Sequence, residues 1–221
     1  MKTTQISIPI HGNTLLGNLN IPTDAESLVI FSHGSGSSRF SKRNLYVANL
    51  LNQSKIATLL TDLLTTEEDE IYDNRFDIDL LTQRLIAVTN YVAQLPDLKN
   101  LPIGYFGAST GAASAIKAAA HLNDHIYAVV SRGGRVDLAD TDLKFVKAPT
   151  MLIVGSLDGV VAELNKQAYN LLQCDKKLKI LDGATHLFEE PGMLDQVVDL
   201  ATEWFKQHNS KSKTQSYALH R

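Results

Sequence analysis

The chain has 221 residues and a formal net charge of −3, with 44% hydrophobic and 20% charged residues. This balance is typical of a soluble globular protein that is long enough to bury its own core. The small excess of acidic residues argues against a nucleic-acid or anionic-membrane surface. No apolar run predicts a membrane span or a signal peptide. The single cysteine, Cys174, excludes an intramolecular disulfide. We therefore expect a cytoplasmic protein. Cys174 itself is expected to be a small buried apolar residue.

The chain opens with a predicted hairpin. Residues 5–21 alternate apolar and polar around His11-Gly12-Asn13, the pattern of two antiparallel strands with one buried face. Short, continuous apolar runs then predict strands that are buried on both faces. These strands are 28–32, 56–60, 103–106, 127–131, 150–154 and 177–181.

Helical patterns lie between the predicted strands. One runs through 45–51, one covers 76–93 and a third covers 191–207, whereas the acidic run 67–70 is expected to be a solvated face or loop. Strands that alternate with helices predict βαβ crossovers and a mostly parallel central sheet with helices on both faces. The opening hairpin adds an antiparallel edge. Since no repeat or linker interrupts the pattern, we predict one domain over 1–207 and a frayed polar tail over 208–221.

Residues 105–115, YFGASTGAASA, carry the first chemical signal. An apolar strand, the string Gly107-Ala108-Ser109-Thr110-Gly111 and an Ala-rich helix follow one another, as a G-x-S-x-G nucleophile elbow requires. Such a turn forces the serine into strained backbone angles with its hydroxyl exposed, and glycine at 107 and 111 relieves the crowding. The sequence therefore predicts Ser109 as a nucleophile.

Two further strand ends supply the partners that a serine nucleophile needs. Ligands gather at the carboxyl ends of parallel strands, and Asp158 follows the 150–154 strand while His186 follows the last strand. Histidine can take and return a proton near neutral pH, and an acid fixes its tautomer. The alternatives are a turn or N-cap role for Asp158 and a loop role for His186.

The glycine-rich loop after residue 32, HGSGSS, is predicted to complete an oxyanion hole. We expect the backbone N–H of Thr110 to act with that of Ser35 or Gly36 on the negative charge that develops during acyl transfer. A phosphate-binding loop is the alternative, but the lysine and the full spacing of the known phosphate loops are missing. His33 is interpreted as a structural residue that holds this loop.

The motifs HGSGSSR, GASTG, SLDGVV and THLFEEPG together resemble the α/β-hydrolase superfamily over most of the chain, and most closely its dienelactone hydrolase-like branch. The resemblance implies the α/β-hydrolase fold without a cap domain and a Ser109–Asp158–His186 triad. Dienelactone hydrolases proper use a cysteine nucleophile, whereas position 109 is serine. Their lactone substrate is therefore not carried over, and a serine esterase or related acyl hydrolase is the inference.

Arg132 and Arg135 form the last candidate pair, in the motif SRGGR. Either arginine could bind an anionic group of the substrate, because guanidinium matches carboxylate and phosphate. The favoured alternative is that they pair with Glu189 and Glu190 and brace the His186 loop.

The sequence thus predicts a serine hydrolase for a small acyl substrate, with no metal, cofactor, nucleic acid or membrane partner and an undetermined oligomeric state. Thioesterase and peptidase activities use the same residues and stay open, as does a non-catalytic binding protein of the same fold. Cap domains of this fold are usually inserted between the strands predicted here at 127–131 and 150–154. Only positions 132–149 lie between them, too few for a helical cap, so we also expect an open site.

Overall fold

The computed structural model describes residues 1–10 and 12–209, which form one eight-stranded sheet with helices on both faces. The strands are β1 (Lys2–Ile10), β2 (Asn13–Ile21), β3 (Ser27–Ser32), β4 (Ile56–Thr61), β5 (Ile103–Ala108), β6 (Ile126–Arg132), β7 (Thr150–Gly155) and β8 (Lys176–Leu181). They lie in the order β1-β2-β4-β3-β5-β6-β7-β8. The β1–β2 and β2–β4 pairs are antiparallel, and the other pairs are parallel.

The helices follow the strands in the expected alternation. The α-helices are α1 (Lys42–Gln53), α2 (Thr66–Glu70), α3 (Ile78–Val92), α4 (Thr110–Leu122), α5 (Gly159–Leu171) and α6 (Met193–His208). Short 3₁₀ helices lie at Tyr72–Phe76, Asn123–His125 and Val136–Phe145. No helix in the described part of the chain is both long and apolar enough to cross a membrane.

Two hydrophobic clusters cover the two faces of the sheet. One joins α3, α4 and α5 to side chains such as Ile30 and Tyr105, and the other joins α1 and α6 to side chains such as Phe31 and Phe106. Because successive side chains of a strand point to opposite faces, a strand between two helical layers is buried at every position and is mostly apolar. All six positions of β3, β4, β5 and β7 are accordingly buried. This confirms the predicted α/β-hydrolase architecture with its antiparallel N-terminal pair.

The acidic segment is a solvated face, one of the two predicted alternatives, and not a loop. Residues 66–70 form the short helix α2, in which no residue is buried, and a capping box between Thr65 and Glu68 satisfies its first N–H groups. Glu68 also pairs with Arg84 of α3, and Asp69 pairs with Arg75. Ion pairing therefore accompanies helix formation in a segment that stays at the surface.

Smaller differences concern boundaries and burial. The helix predicted for 76–93 begins at Ile78, where the Asp77 side chain accepts a hydrogen bond from the Leu80 N–H. Cys174 is only partly buried, at the margin of the core, rather than fully buried. The break of the hairpin at His11 and most of the predicted tail lie outside the described residues.

Between β6 and β7 the chain forms the 3₁₀ helix Val136–Phe145 and no cap domain. This 3₁₀ helix packs against α4 and α5, on one face of the sheet. The carboxyl ends of the parallel strands consequently stay open for a site.

Candidate active site

Ser109 lies in the turn between β5 and α4, and its backbone is held in an unusual conformation. Its φ of 52° and ψ of −124° fall in a region that L-residues other than glycine rarely occupy. Three hydrogen bonds hold the turn: the Ser109 N–H donates to the Arg132 carbonyl at 3.3 Å, and the Ser109 carbonyl accepts from the N–H groups of Ala112 and Arg135, each at 3.0 Å. The predicted elbow geometry is therefore present at this residue.

The glycines on either side of Ser109 allow the close approach of strand and helix. A Cβ on Gly107 would lie 2.5 Å from the Ala112 Cα, and one on Gly111 would lie 2.2 Å from the Ser32 carbonyl oxygen. Both contacts are too short for any side chain and involve backbone that cannot move away. Glycine at these two positions lets α4 begin directly beside β3 and β5.

Asp158 and His186 are joined by a hydrogen bond of 2.8 Å between Asp158 Oδ2 and His186 Nδ1. Because an ionised carboxylate can only accept, His186 Nδ1 carries the proton in this bond and Nε2 is left as the accepting nitrogen of the neutral ring. The Asp158 side chain is 8% exposed and that of His186 is 38% exposed. The acid is thus shielded while the imidazole reaches solvent.

Two backbone hydrogen bonds bring the loops of Asp158 and His186 together. The Leu157 N–H donates to the Ala184 carbonyl at 3.0 Å, and the Ser156 N–H donates to the Leu181 carbonyl at 2.9 Å. A Cβ on Gly155 would lie 2.2 Å from the Ala184 carbonyl oxygen, so glycine is required where the loops meet. The ends of β7 and β8 are locked in this way.

Ser109 and His186 line the same pocket, which has a volume of about 270 Å³. No hydrogen bond joins the Ser109 hydroxyl to His186 within the described part of the chain. The structure therefore pairs Asp158 with His186 directly and places Ser109 and His186 in the lining of one pocket. A larger groove, of about 510 Å³, lies beyond the loop of residues 33–38 and contains neither Ser109 nor His186.

Of the residues predicted for an oxyanion hole, Thr110 follows Ser109 directly and Ser35 contacts Thr110. Thr110 is the first residue of α4, so its N–H has no acceptor within the helix. The loop of residues 33–38 approaches so closely that a Cβ on Gly34 would lie 3.0 Å from the Ser109 Cβ. The Ser35 N–H, however, donates to the Thr110 Oγ1 at 2.8 Å. Of the two loop donors predicted, Ser35 is thus engaged by Thr110, and Gly36, with a φ of 66°, forms the turn beyond it.

His33 holds this loop, as the sequence predicted. Its Nε2 accepts from the Leu63 N–H at 3.3 Å, so its Nδ1 carries the proton and donates to the Gly34 carbonyl at 3.0 Å. Burial lowers the pKa of His33 below 6.5, and the hydrogen bond to Gly34 only partly opposes this shift. His33 is therefore a neutral structural residue.

The predicted pairing of Arg132 and Arg135 with Glu189 and Glu190 is wrong. Arg135 forms a bidentate ion pair with Asp137, two residues along the chain, and lies outside the pocket. Glu190 instead accepts hydrogen bonds from Thr185.

Glu189 is bound by Arg43 of α1, at 2.5 Å, which the sequence did not indicate. Arg43 and Arg132 both line the pocket of Ser109 and His186. Sequence reasoning missed Arg43 because it lies inside a helix, away from the strand ends where functional residues were sought. A basic residue in the first turn of α1 was the available signal, since that position disfavours positive charge.

A scan against protein-family models finds no match for this chain. Among curated proteins, two provisionally named phosphoribosyl transferases from strains of Mycobacterium tuberculosis are 54% identical over 192 residues, which is 87% of this chain. The chain spans only 43% of the length of each of these relatives.

Solved structures give a match over the full domain. The chain is similar to a dienelactone hydrolase from Anabaena variabilis, with 50% identity, a TM-score of 0.91, and coverage of 94% of this chain and 98% of that one. It shares its fold, at 18% identity and a TM-score of 0.79, with Est1E from Butyrivibrio proteoclasticus, where 92% of this chain and 98% of that one are covered. On the strength of the first match, the chain belongs to the dienelactone hydrolase-like branch of the α/β-hydrolase superfamily.

Proposed function

We propose that the protein is a serine hydrolase that cleaves a small ester-type substrate, a carboxylic ester, thioester or lactone, through an acyl-enzyme. The observation that carries this proposal is the Asp158–His186 hydrogen bond at a pocket that Ser109 also lines, with Ser109 in the backbone conformation of a nucleophile elbow. Membership of the family supports hydrolysis, and the solved relative from A. variabilis is itself named a dienelactone hydrolase.

In the proposed reaction, His186 Nε2 takes the proton of the Ser109 hydroxyl as Ser109 Oγ attacks the substrate carbonyl carbon. Asp158 holds the ring in the required tautomer and stabilises the imidazolium that forms. The Thr110 N–H donates to the oxyanion, with a loop amide at 35 or 36 as second donor. His186 then gives its proton to the leaving group, and a water molecule, activated by the same imidazole, releases the acid.

Thr110 has a second part in this scheme, because its Oγ1 accepts the Ser35 N–H. The Ser35 N–H must share this bond or leave it to reach an oxyanion, whereas the Gly36 N–H has no such bond to Thr110. Ser35 lines the pocket of Ser109 and Gly36 does not, so we favour a shared Ser35 N–H as the loop donor, with Gly36 as the alternative. The proposed steps use no metal or organic cofactor, and the reaction suits a cytoplasmic enzyme.

The names of the M. tuberculosis relatives suggest a different reaction, transfer of a phosphoribosyl group. More than half of each relative lies outside the match, since the chain spans 43% of its length. We assign the transferase activity implied by those names to the part without a counterpart here. The pocket of Ser109 and His186 has the residues of acyl transfer, and a hydrolase acting beside a transferase is the interpretation that accommodates both.

A fluorophosphonate probe tests the proposal, because it labels only an activated serine. We expect the wild-type protein to be labelled, Ser109→Ala to be unlabelled, and His186→Gln to be labelled at least about 100-fold more slowly. Ser131→Ala is the matched control, since Ser131 pairs with Gly107 on the neighbouring strand and its buried hydroxyl has no hydrogen-bond partner within the described residues. Labelling of Ser109→Ala as strong as that of the wild type would indicate a different nucleophile. The absence of labelling in both proteins would favour the non-catalytic alternative.

Turnover of esters, thioesters, lactones and peptides by the purified protein then separates the hydrolase classes. We expect Ser109→Ala to reduce turnover of the preferred class by at least about 1,000-fold, without lowering the midpoint of thermal unfolding. Peptides as the best substrates would replace the esterase assignment by a peptidase.

A further inference from the structure

Arg132 is a buried cation without a carboxylate partner. It is the last residue of β6 and is 6% exposed, and no acid lies within ion-pair distance of its guanidinium among the described residues. Its Nε has no hydrogen-bond partner, and its Nη2 reaches only the Asn44 Oδ1, at a long 3.5 Å. A buried guanidinium normally satisfies its fixed fork of donors, because an unpaired buried charge costs several kcal/mol. The missing acceptor therefore suggests a ligand.

The charge that acts on Arg132 is that of a second arginine, Arg43, which makes the absence of an acid more costly. Burial, followed by repulsion from Arg43, lowers the pKa of Arg132 to about 10, so the guanidinium is still charged at neutral pH. Arg43 pairs with Glu189, but the Glu189 side chain is 62% exposed at the rim and such pairs contribute about 1 kcal/mol or less. The interior of the pocket keeps a net positive charge.

The N-terminus of α1 adds donors to the same pocket. Ser41 is the N-cap of this 12-residue helix, no acidic residue occupies its first turn, and Ser41, Arg43 and Asn44 all line the pocket. A helix N-terminus favours anions through its free N–H groups and its dipole. Ser37, on the loop that leads into α1, lines the pocket as well.

The number of donors indicates which anion fits. Two guanidiniums, a helix N-terminus and serine hydroxyls offer more donors than the two oxygens of a carboxylate can accept, whereas a phosphate monoester has three terminal oxygens and a charge near −2. We propose that a phosphate monoester group of the substrate binds beside Ser109. Its ligands are Arg132, at the end of β6, and Arg43, in the first turn of α1. In naming the ligand as part of a substrate, this inference rests on the proposed function. The preferred substrate is then a phosphorylated ester.

Calorimetric titration with inorganic phosphate tests the site independently of catalysis. We expect saturable binding to the wild-type protein and to Ser109→Ala, weakened at least about 10-fold by Arg132→Met and several-fold by Arg43→Gln. Arg135→Gln is the matched control, because its side chain pairs with Asp137 outside the pocket and phosphate affinity is expected to be unchanged. Arg132→Lys, which keeps the charge but not the two-pronged geometry, should also weaken binding and covers the case in which Arg132→Met fails to fold.

Three outcomes would overturn the inference. The first is no phosphate binding. The second is binding that the Arg132 and Arg43 variants leave unchanged, which means an adventitious ion only. The third is acetate binding as tightly as phosphate, which would indicate a carboxylate substrate.

The two proposals fail in different ways. Phosphate binding without fluorophosphonate labelling removes the hydrolase and keeps the anion site, whereas labelling without phosphate binding removes the anion site alone. If both hold, phosphate should inhibit hydrolysis of p-nitrophenyl acetate competitively, with a constant that matches its calorimetric affinity and rises in Arg132→Lys.

Discussion

Ser109 combines the proposed nucleophile with a strained backbone, and the two can be separated by mutation. At φ 52° and ψ −124°, a residue with a Cβ costs about 1–3 kcal/mol relative to glycine. Glycine in turn costs about 0.5–1 kcal/mol in entropy of the unfolded chain. We therefore expect Ser109→Gly to be more stable than Ser109→Ala by about 1 kcal/mol in the free energy of unfolding, measured by urea denaturation.

The comparison between these variants controls for the lost hydroxyl, because neither has one. A Ser109→Ala protein that equals or exceeds Ser109→Gly in stability would contradict a stored strain at this turn. The strain would then have no part in presenting the hydroxyl.

Burial of the neutral His33 makes stability dependent on pH. The pKa of His33 in the folded protein lies below the 6.5 of the unfolded chain, mainly because of burial. As the pH falls below 6.5, the imidazole is therefore protonated in the unfolded chain before it is protonated in the folded protein. The contribution of His33 to stability is therefore complete above pH 6.5 and is lost as the pH falls. We expect the free energy of unfolding to decrease as the pH falls below 6.5, by up to about 1.4 kcal/mol per pH unit from this residue.

The variant His33→Asn isolates this effect, because asparagine keeps polar atoms near the loop but does not titrate. Urea denaturation at several pH values should give a smaller slope of stability against pH for the variant than for the wild type. Equal slopes in this range would show that the pKa of His33 is not lowered in the folded protein.

At the scale of elements, the contact of α4 with β3 depends on Gly111. An alanine Cβ there would lie 2.2 Å from the Ser32 carbonyl oxygen and 2.4 Å from the His33 carbonyl oxygen, so the helix would have to move away from the strand. We expect Gly111→Ala to lower the free energy of unfolding by about 3 kcal/mol. Displacement of Ser109 from the loop of residues 33–38 should also abolish fluorophosphonate labelling.

Gly183→Ala is the control for this prediction. Gly183 has a φ of 76° but no close neighbour for a Cβ, with only the Met193 Cε within 4 Å, at 3.9 Å. This substitution should cost about 1 kcal/mol from backbone conformation alone. If circular-dichroism melts showed Gly111→Ala to be no worse than Gly183→Ala, α4 would have room to shift that the structure does not indicate.

The elements also explain which parts of the site were predictable. Ser109, Asp158 and His186 each follow a strand, and strand ends can be found from local patterns because a doubly covered sheet imposes apolar runs. Arg43 follows no such pattern. It reaches the pocket only because α1 packs on the face of the sheet that brings its N-terminus to the end of β6, and this packing depends on the whole fold.

Side-chain partners were harder to predict than positions. Arg135 and the pair Glu189-Glu190 lie near the functional edge, as expected, but Arg135 pairs with Asp137 and Glu189 pairs with Arg43. Opposite charges that are close in sequence compete with those that are close only in the fold. The sequence alone does not rank the alternative ion pairs, since each contributes only about 1 kcal/mol or less to stability at an exposed site.

At the scale of the molecule, the sheet brings functional residues that are far apart in the sequence to the edge where its parallel strands end. The loop after β3, the turn after β5 and the loops after β7 and β8 all meet there because parallel strands end on the same side. Among the described residues no cap domain covers this edge, since the segment between β6 and β7 is a 3₁₀ helix that packs against α4 and α5. Access to Ser109 is therefore controlled by the pocket itself.

A pocket of about 270 Å³ predicts no gain in activity for long acyl groups. A buried methylene contributes about 0.8 kcal/mol, but an acyl chain that extends beyond the pocket lies in water and gains none of it. We expect kcat/KM for the laurate ester to be no higher than that for p-nitrophenyl butyrate, with each ester kept below its micelle concentration. The rate with Ser109→Ala provides the background to subtract. Faster turnover of laurate than of butyrate would require an apolar channel that this open edge does not provide, and would point to a covering element contributed from outside the described residues.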